Sequence, residues 1–422
     1  MDTSVAGPVK STKKILSSLF AVVFLDLVGI GIVVPVLASL LLDPSHGLTA
    51  GFTDSERELL LGALTMVYPL MQFFAAPFLG ALADRYGRRK LLIVSVGGTF
   101  VGYILFAIGV LTGQLWLLFV SRAIDGFTGG NISIAQAAIA DVSTPETKQK
   151  NFGLIGMAFG VGFVVGPFLG GVLSDPSFVS WFSFDTPFWA ASLFSIASIL
   201  MIWKFLPETL RTPVIRPITW LTGVKNVIGA FKMKNLRVMF TVVLLHMLGF
   251  AFYMQFFQVV LLQRFGLGQS QIGFYYAYVG VWIALTQGII TRIVAKRFKP
   301  EQTLKISLLV IPLTFIIAIS ANQVWVLYAI TVPLMAIGQG LTMPSLSTII
   351  SNLAGKESQG EVMGIQQSVS SLGSVIPPLL AGAALTVSLN LPTIIGASLI
   401  VVGWFVFTFF FKPKAAEVFH EA

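Results

Sequence analysis

Twelve long apolar runs, separated by short polar segments, set the pattern of this chain. They occupy residues 15–42, 58–80, 91–112, 115–140, 151–173, 186–206, 238–263, 271–293, 303–321, 324–351, 360–386 and 391–411. A helix needs about 20 consecutive apolar residues to cross the hydrocarbon core of a bilayer. The pattern therefore predicts an all-α membrane protein with twelve transmembrane helices. The first run, Ile15 to Leu42, is too long for the apolar core of a cleavable signal and lacks a small-residue cleavage pattern. It is expected to remain as the first helix.

Residues 207–235 divide the runs six and six. This segment holds Pro207, Pro213 and Pro217 and is partly amphipathic from Trp220 to Phe231. It is expected to be a cytoplasmic linker lying along the membrane, between one six-helix bundle at 1–206 and another at 236–422. An internal repeat supports the division. Gly162-Phe-Val-Val-Gly-Pro-Phe-Leu-Gly-Gly171 returns as Gly373-Ser-Val-Ile-Pro-Pro-Leu-Leu-Ala-Gly382, 211 residues later. Trp116 and Gly129 match Trp325 and Gly338 at an offset of 209, and Ala83-Asp-Arg-Tyr matches Ala295-Lys-Arg-Phe at 212. Two pseudo-symmetric halves with a site between them follow from such a repeat.

Charge gives the orientation. Only 11% of the 422 residues are charged, against roughly 25% in soluble proteins. Of the 27 basic residues, 24 fall in the termini and the segments on one side of the predicted spans. Arg57 and Arg264 lie on the other side, and Arg122 lies within a span. By the positive-inside rule both termini are cytoplasmic, which points to a multi-pass protein of the inner, cytoplasmic membrane. The net charge of +9 thus reflects topology and attraction to anionic lipid, and no nucleic-acid partner is expected. There is no cysteine, and His46, His246 and His420 are far apart, so no metal site is expected. Neither a nucleotide-binding loop nor a nucleophile–base pair stands out, so neither an enzyme nor a cofactor is expected.

The most charged stretch is Gly80-Ala-Leu-Ala-Asp-Arg-Tyr-Gly-Arg-Arg-Lys90, with one acid and four bases between two apolar runs. It reads as a loop at the cytoplasmic surface. Span 4 carries Arg122-Ala-Ile-Asp125-Gly126, and the two charges, three apart, share a helix face. A charge in a membrane helix is a functional candidate by default. Asp26 in span 1 has no local basic partner and is a candidate for taking up and releasing protons. Span 5 has a face of small residues, Gly153, Gly156, Gly160, Gly162, Gly166, Gly170 and Gly171, that permits close helix approach, and Pro167 permits bending. The second half places no acid in the centre of its spans. It offers His246, Gln255, Gln258, Gln287, Gln339, Gln366 and Gln367, with Phe250, Tyr253 and Phe257 at helical spacing. These are candidates to line a substrate cavity, with the first half handling protons.

Gly80 to Lys90 resembles the helix 2–3 signature of the major facilitator superfamily. Together with Asp26-Leu-Val-Gly-Ile-Gly-Ile-Val-Val-Pro35, Ile139-Ala-Asp141 and Gly166-Pro-Phe-Leu-Gly-Gly171, it is similar to tetracycline-efflux-type drug/proton antiporters. The resemblance covers most of the first 210 residues and is weaker afterwards. It implies proton-driven export of amphipathic or hydrophobic, even lipid-like, small molecules by alternating access, with no cofactor besides the proton gradient and a monomer as the working unit. An uptake symporter or a lipid or lysolipid translocator would use the same fold. It implies proton coupling by Asp26, Asp125 and Arg122, with Asp26 pairing with Arg122 in one conformation. It implies a conformational latch of Gly80, Asp84, Arg85, Gly87 and Arg88 whose acid faces the start of helix 11 near Gly360. It also implies an antiporter motif of Gly162, Gly166, Pro167, Gly170 and Gly171. Two departures matter: tetracycline pumps carry acids in the third and ninth helices, where this chain has Phe100-Val-Gly102-Tyr103 and Val310-Ile-Pro312.

Overall fold

The computed structural model describes residues 12–42, 48–49, 51–210, 212–213, 225, 228–229, 231–232, 234–267, 269–354 and 358–412. Twelve helical spans emerge: α1 Thr12–Leu42, α2 Asp54–Tyr86, α3 Arg88–Leu111, α4 Leu115–Thr128 continued as Asn131–Asp141, α5 Pro145–Ser174 and α6 Thr186–Phe205. The second set is α7 Lys234–Phe265, α8 Gln269–Leu285 continued to Val294, α9 Pro300–Ser320, α10 Val324–Leu353, α11 Gln359–Val387 and α12 Leu391–Phe410. Among the described residues, ten of these are long and apolar enough to cross a membrane. The two others are α4, broken at Gly129–Gly130, and α11, which carries Gln366, Gln367, Ser368, Ser370, Ser371 and Ser374. Most of the linker expected at 207–235, including the stretch around Trp220, lies outside the described residues.

The helix boundaries have local causes. Thr53 and Glu56 form a capping box that starts α2, and bonds from the Thr53 backbone and side chain hold the Glu56 carboxyl below its ordinary value. Proline enters at the first turn of α5, α6, α9 and α12, where its missing N–H is no loss. The charged stretch expected to be a loop is instead almost wholly helical. α2 runs through Asp84 to Tyr86, α3 begins at Arg88, and Gly87 alone, at φ +102°, makes the joint. Only glycine takes that backbone angle without strain. Two π turns, Thr286–Ile290 in α8 and Leu327–Thr331 in α10, interrupt the α-helical pattern of the second half.

Within the first half α1 packs on α5 and α6, α3 on α4 and α6, and α2 on α4; within the second, α7 packs on α11 and α12, and α9 on α10 and α12. The halves meet where α2 and the second piece of α4 touch α11, and where α5 touches α8 and α10. Val94, Leu193, Trp203, Phe274, Leu313 and Phe409 are among many exposed apolar side chains, the surface a bilayer would cover. The contacts between halves that follow run from the middle of the helices toward Gly87, so the molecule is closed on the side of the charged stretch.

Candidate functional site

The closing seam starts with Gly80 and Asp84 on α2. Asp84 accepts hydrogen bonds from the backbone N–H of Gly360 at 2.9 Å and of Glu361 at 2.7 Å, capping the start of α11. A helix N-terminus carries partial positive charge, so an acid is well placed there. Gly80 lies against the Gly360 carbonyl so closely that no Cβ fits. Arg88, fully buried, pairs with Asp84 at 2.6 Å and with Asp141, at the end of α4, at 3.1 Å. Glu208, just past α6, has no motif around it to single it out in the sequence. Its carboxylate accepts from the backbone N–H of Arg88 at 2.8 Å and of Arg89 at 3.2 Å, capping α3 across 120 residues of sequence. Its only sequence signal is an acid after Pro207 at a helix end. Gly87 is crowded by this same carboxylate. Arg85, expected in the latch, is half-buried at the end of α2, with its guanidinium 5.2 Å from the Tyr86 ring.

Breaking the Arg88 pairs has a calculable effect. Arg88→Met leaves Asp84 buried without its ion-pair partner and takes one cation from Asp141, and losing one partner of a buried pair costs about 3–5 kcal/mol. A fall of several degrees in the melting temperature of the purified protein is the expected outcome.

The second strip of the seam is α5 against α8. A Cβ at Gly160 would stand 2.7 Å from the Ala284 nitrogen, and one at Gly153 would stand 3.2 Å from the Gln287 carbonyl oxygen. The Gln287 side chain occupies the space a Cβ at Gly156 would need. Gln287 belongs to the π turn of α8 and is buried. Nearer the charged stretch, Gln149 donates to the Ser345 hydroxyl at 3.0 Å and Lys148 to the Asn352 side-chain oxygen at 3.2 Å.

The antiporter-motif residues divide by role. Gly162 and Gly166 face α1 within the first half, where a Cβ at Gly166 would stand 2.7 Å from the Gly31 Cα. Pro167 borders the same contact. Gly170 is buried. A Cβ at Gly171 would meet nothing within 4 Å among the described residues, so this glycine takes no part in their close packing.

The acidic site lies inside the first half. Arg122 pairs with Asp125 at 2.9 Å, and both are almost fully buried. The guanidinium is walled by Phe106, Tyr103 and Tyr68, with ring centres 5.4, 5.9 and 6.0 Å away. Asp26 is buried near Asp125 and bonded to the Asn131 side chain, and its second carboxylate oxygen has no hydrogen-bond partner among the described residues. In this conformation Arg122 therefore pairs with Asp125 on its own helix, not with Asp26. Gly102 has a specific reason to be glycine. A Cβ there would stand 3.1 Å from the Asp125 Cβ, so α4 fills the place where an acid on α3 would project.

The second half does not present its aromatic candidates as a cavity wall. Tyr253 and Phe257 are buried in its core, with Tyr253 stacked on Phe315 at 4.0 Å and on Phe257 at 4.6 Å. Phe250 stacks on His246 at 6.1 Å. His246 is fully buried, with Gln339 as its polar neighbour. Gln366 donates to Ser347 at 2.8 Å. The side chains of Gln255 and Gln258 lie outside the described residues. Among the described residues no group of three or more His, Asp or Glu is placed to hold a metal ion.

Comparison with known proteins gives a consistent result. The sequence profile of the Major Facilitator Superfamily matches residues 19–378, and again 306–421. The class C tetracycline resistance protein of Escherichia coli is 32% identical over 394 residues, spanning 90% of this chain and 93% of that protein. The mouse major facilitator superfamily domain-containing protein 10 is 27% identical over 88% of this chain and 87% of its own length. The human organic anion transporter TETRAN superposes with a TM-score of 0.80 over 94% of this chain and 99% of its own, at 23% identity.

Proposed function

The chain belongs to the Major Facilitator Superfamily, a multi-pass membrane transporter for small molecules, and on that premise we propose that it exports amphipathic or hydrophobic compounds in exchange for protons. The observation that carries this reading is Asp26, a buried acid with an unpartnered oxygen beside the Arg122–Asp125 pair. Such a group takes up a proton with little rearrangement and has no other evident purpose in an apolar bundle. Export rather than uptake is favoured by the tetracycline resistance proteins among the relatives. The chain works as a monomer in the cytoplasmic membrane, with Gly87 and both termini on the cytoplasmic side. On that reading the closed seam fits an outward-facing state.

In this scheme the two halves rock about a site between them. Proton uptake at Asp26 from outside weakens the hold of the acidic cluster on its neighbours. Opening inward separates α2 from α11 and α5 from α8, and Asp84 gives up its two N–H donors. Hydrogen bonds to a charged group contribute about 1.5–3 kcal/mol each, a suitable scale for a two-state switch. Tight Gly–Gly contacts between α1 and α5 keep the first half rigid as it moves.

In energised everted vesicles, an exported substrate entering the lumen should release protons and collapse the pH gradient. A set of drug-like amphipaths that binds the purified protein yet leaves the gradient untouched would sink proton exchange. Accumulation in intact cells driven by the inward proton gradient would show uptake instead.

A further inference from the structure

Gln72 lies on the α2 face toward α11, outside every motif of the sequence. It is 5% exposed, and its whole amide is used. The Nε2 group donates to the Gly129 carbonyl at 2.7 Å and points to the Tyr68 hydroxyl at 3.4 Å. The Oε1 atom accepts from the Ser371 hydroxyl at 2.6 Å and from the Gln367 amide at 3.2 Å. The first two partners belong to the first half and the last two to α11 of the second.

The first-half partners are the ones that feel the acidic site. Gly129 stands at the break in α4, one turn beyond Asp125, and its carbonyl is free because the helix stops at Thr128. A Cβ at Gly129 would stand 2.7 Å from the Tyr68 hydroxyl, so Tyr68 and the break are in contact. The Tyr68 ring walls Arg122. Any rearrangement of the Arg122–Asp125 pair therefore moves the acceptor and the ring that fix Gln72. An amide has two N–H groups and one oxygen at fixed angles. When its first-half partners shift, it cannot hold them and keep its bonds to Ser371 and Gln367.

We infer that Gln72 is the positioning residue that transmits the protonation of the acidic site to the seam between α2 and α11. This rests on the proton-exchange reading above. The groups that bear on it are Asp26 from α1, Tyr68 from α2, Tyr103 from α3, and Arg122 and Asp125 from α4. At this height α11 presents the neutral Gln367 and Ser371; its acid Glu361 lies beside Asp84, roughly three turns nearer the cytoplasm.

The chain has no cysteine, so thiols placed at the exposed Lys90 and Lys305, one in each half, can carry spin labels without background. Distances between the labels, measured in nanodiscs from acidic to alkaline pH, report opening of the seam. The labelled parent should change its separated fraction with pH. Gln72→Met, similar in volume but unable to hydrogen-bond, should lose that dependence while still populating a seam. Ser371→Ala, which removes one second-half bond and leaves Gln72 in place, should reduce the response and stands in if Gln72→Met does not fold. A parent without pH dependence overturns proton exchange itself. A pH-dependent parent whose Gln72→Met and Ser371→Ala forms respond as it does overturns the role of Gln72 alone. A uniform change at every pH, with the slope retained, marks Gln72 as packing and also overturns the inference.

Discussion

Replacing Asp26 by asparagine is expected to reduce gradient-driven accumulation to the level of protein-free vesicles, while substrate binding changes by less than about tenfold, or ~1.4 kcal/mol. Asparagine has the shape of the protonated acid and still reaches Asn131, but it cannot lose a proton. The variant can therefore still bind and carry substrate but has no proton to give up in exchange for it. Exchange of labelled for unlabelled substrate, which needs no net proton movement, should continue. Measuring accumulation and exchange on the same vesicles separates loss of coupling from loss of folding. Undiminished accumulation would remove Asp26 from the coupling and leave Asp125 as the remaining candidate.

The second large effect is expected from Gly156→Leu. The Gln287 side chain stands where the new Cβ must go, and it is buried, so the leucine must force it out of the seam. Overpacking a tight contact costs about 1–3 kcal/mol, comparable to the gap between conformations that differ by a few kcal/mol. Gly156 faces the other half, so the strain falls on the seam and not on the fold of either bundle. The variant should fold, bind substrate and fail to transport, with labels at Lys90 and Lys305 held apart. Gly171→Leu is the matched control, since nothing among the described residues lies within 4 Å of its Cβ direction, and it should transport normally. Equal activity of the two variants would show that α5 and α8 do not close in the cycle.

How legible these features are depends on how local their causes are. Ten of the twelve spans follow from apolar length, which each segment carries by itself; among the described residues the broken α4 and the polar α11 do not meet that measure. The seam acid Asp84 is readable because charge between apolar runs has few explanations. Its setting is not: the stretch is helical around Gly87, since a single glycine at positive φ can replace a whole loop. Glu208 and Gln72 are illegible because their partners lie far away in sequence, 120 residues for the Glu208–Arg88 bond and 299 for Gln72–Ser371. Tyr253 and Phe257 show the limit from the other side. Helical spacing of aromatics states that they share a face, but not whether that face meets a cavity or α9.

The π turn in α10 bears on ancestry. Before it, the halves correspond closely: the indole of Trp116 donates to Gln114, and the indole of Trp325 donates to Gln323. Beyond Leu327–Thr331 the chain has wound in the wider π form, so a constant offset pairs residues on different faces. Gly129 faces α2, yet Gly338, its partner by count, faces Ile311 of α9. The glycine that faces α8, the repeat of α2, is Gly340. An alignment of the duplicated halves must therefore open a gap inside α10, and a substitution's effect carries from one half to the other only when it is transferred through that gap.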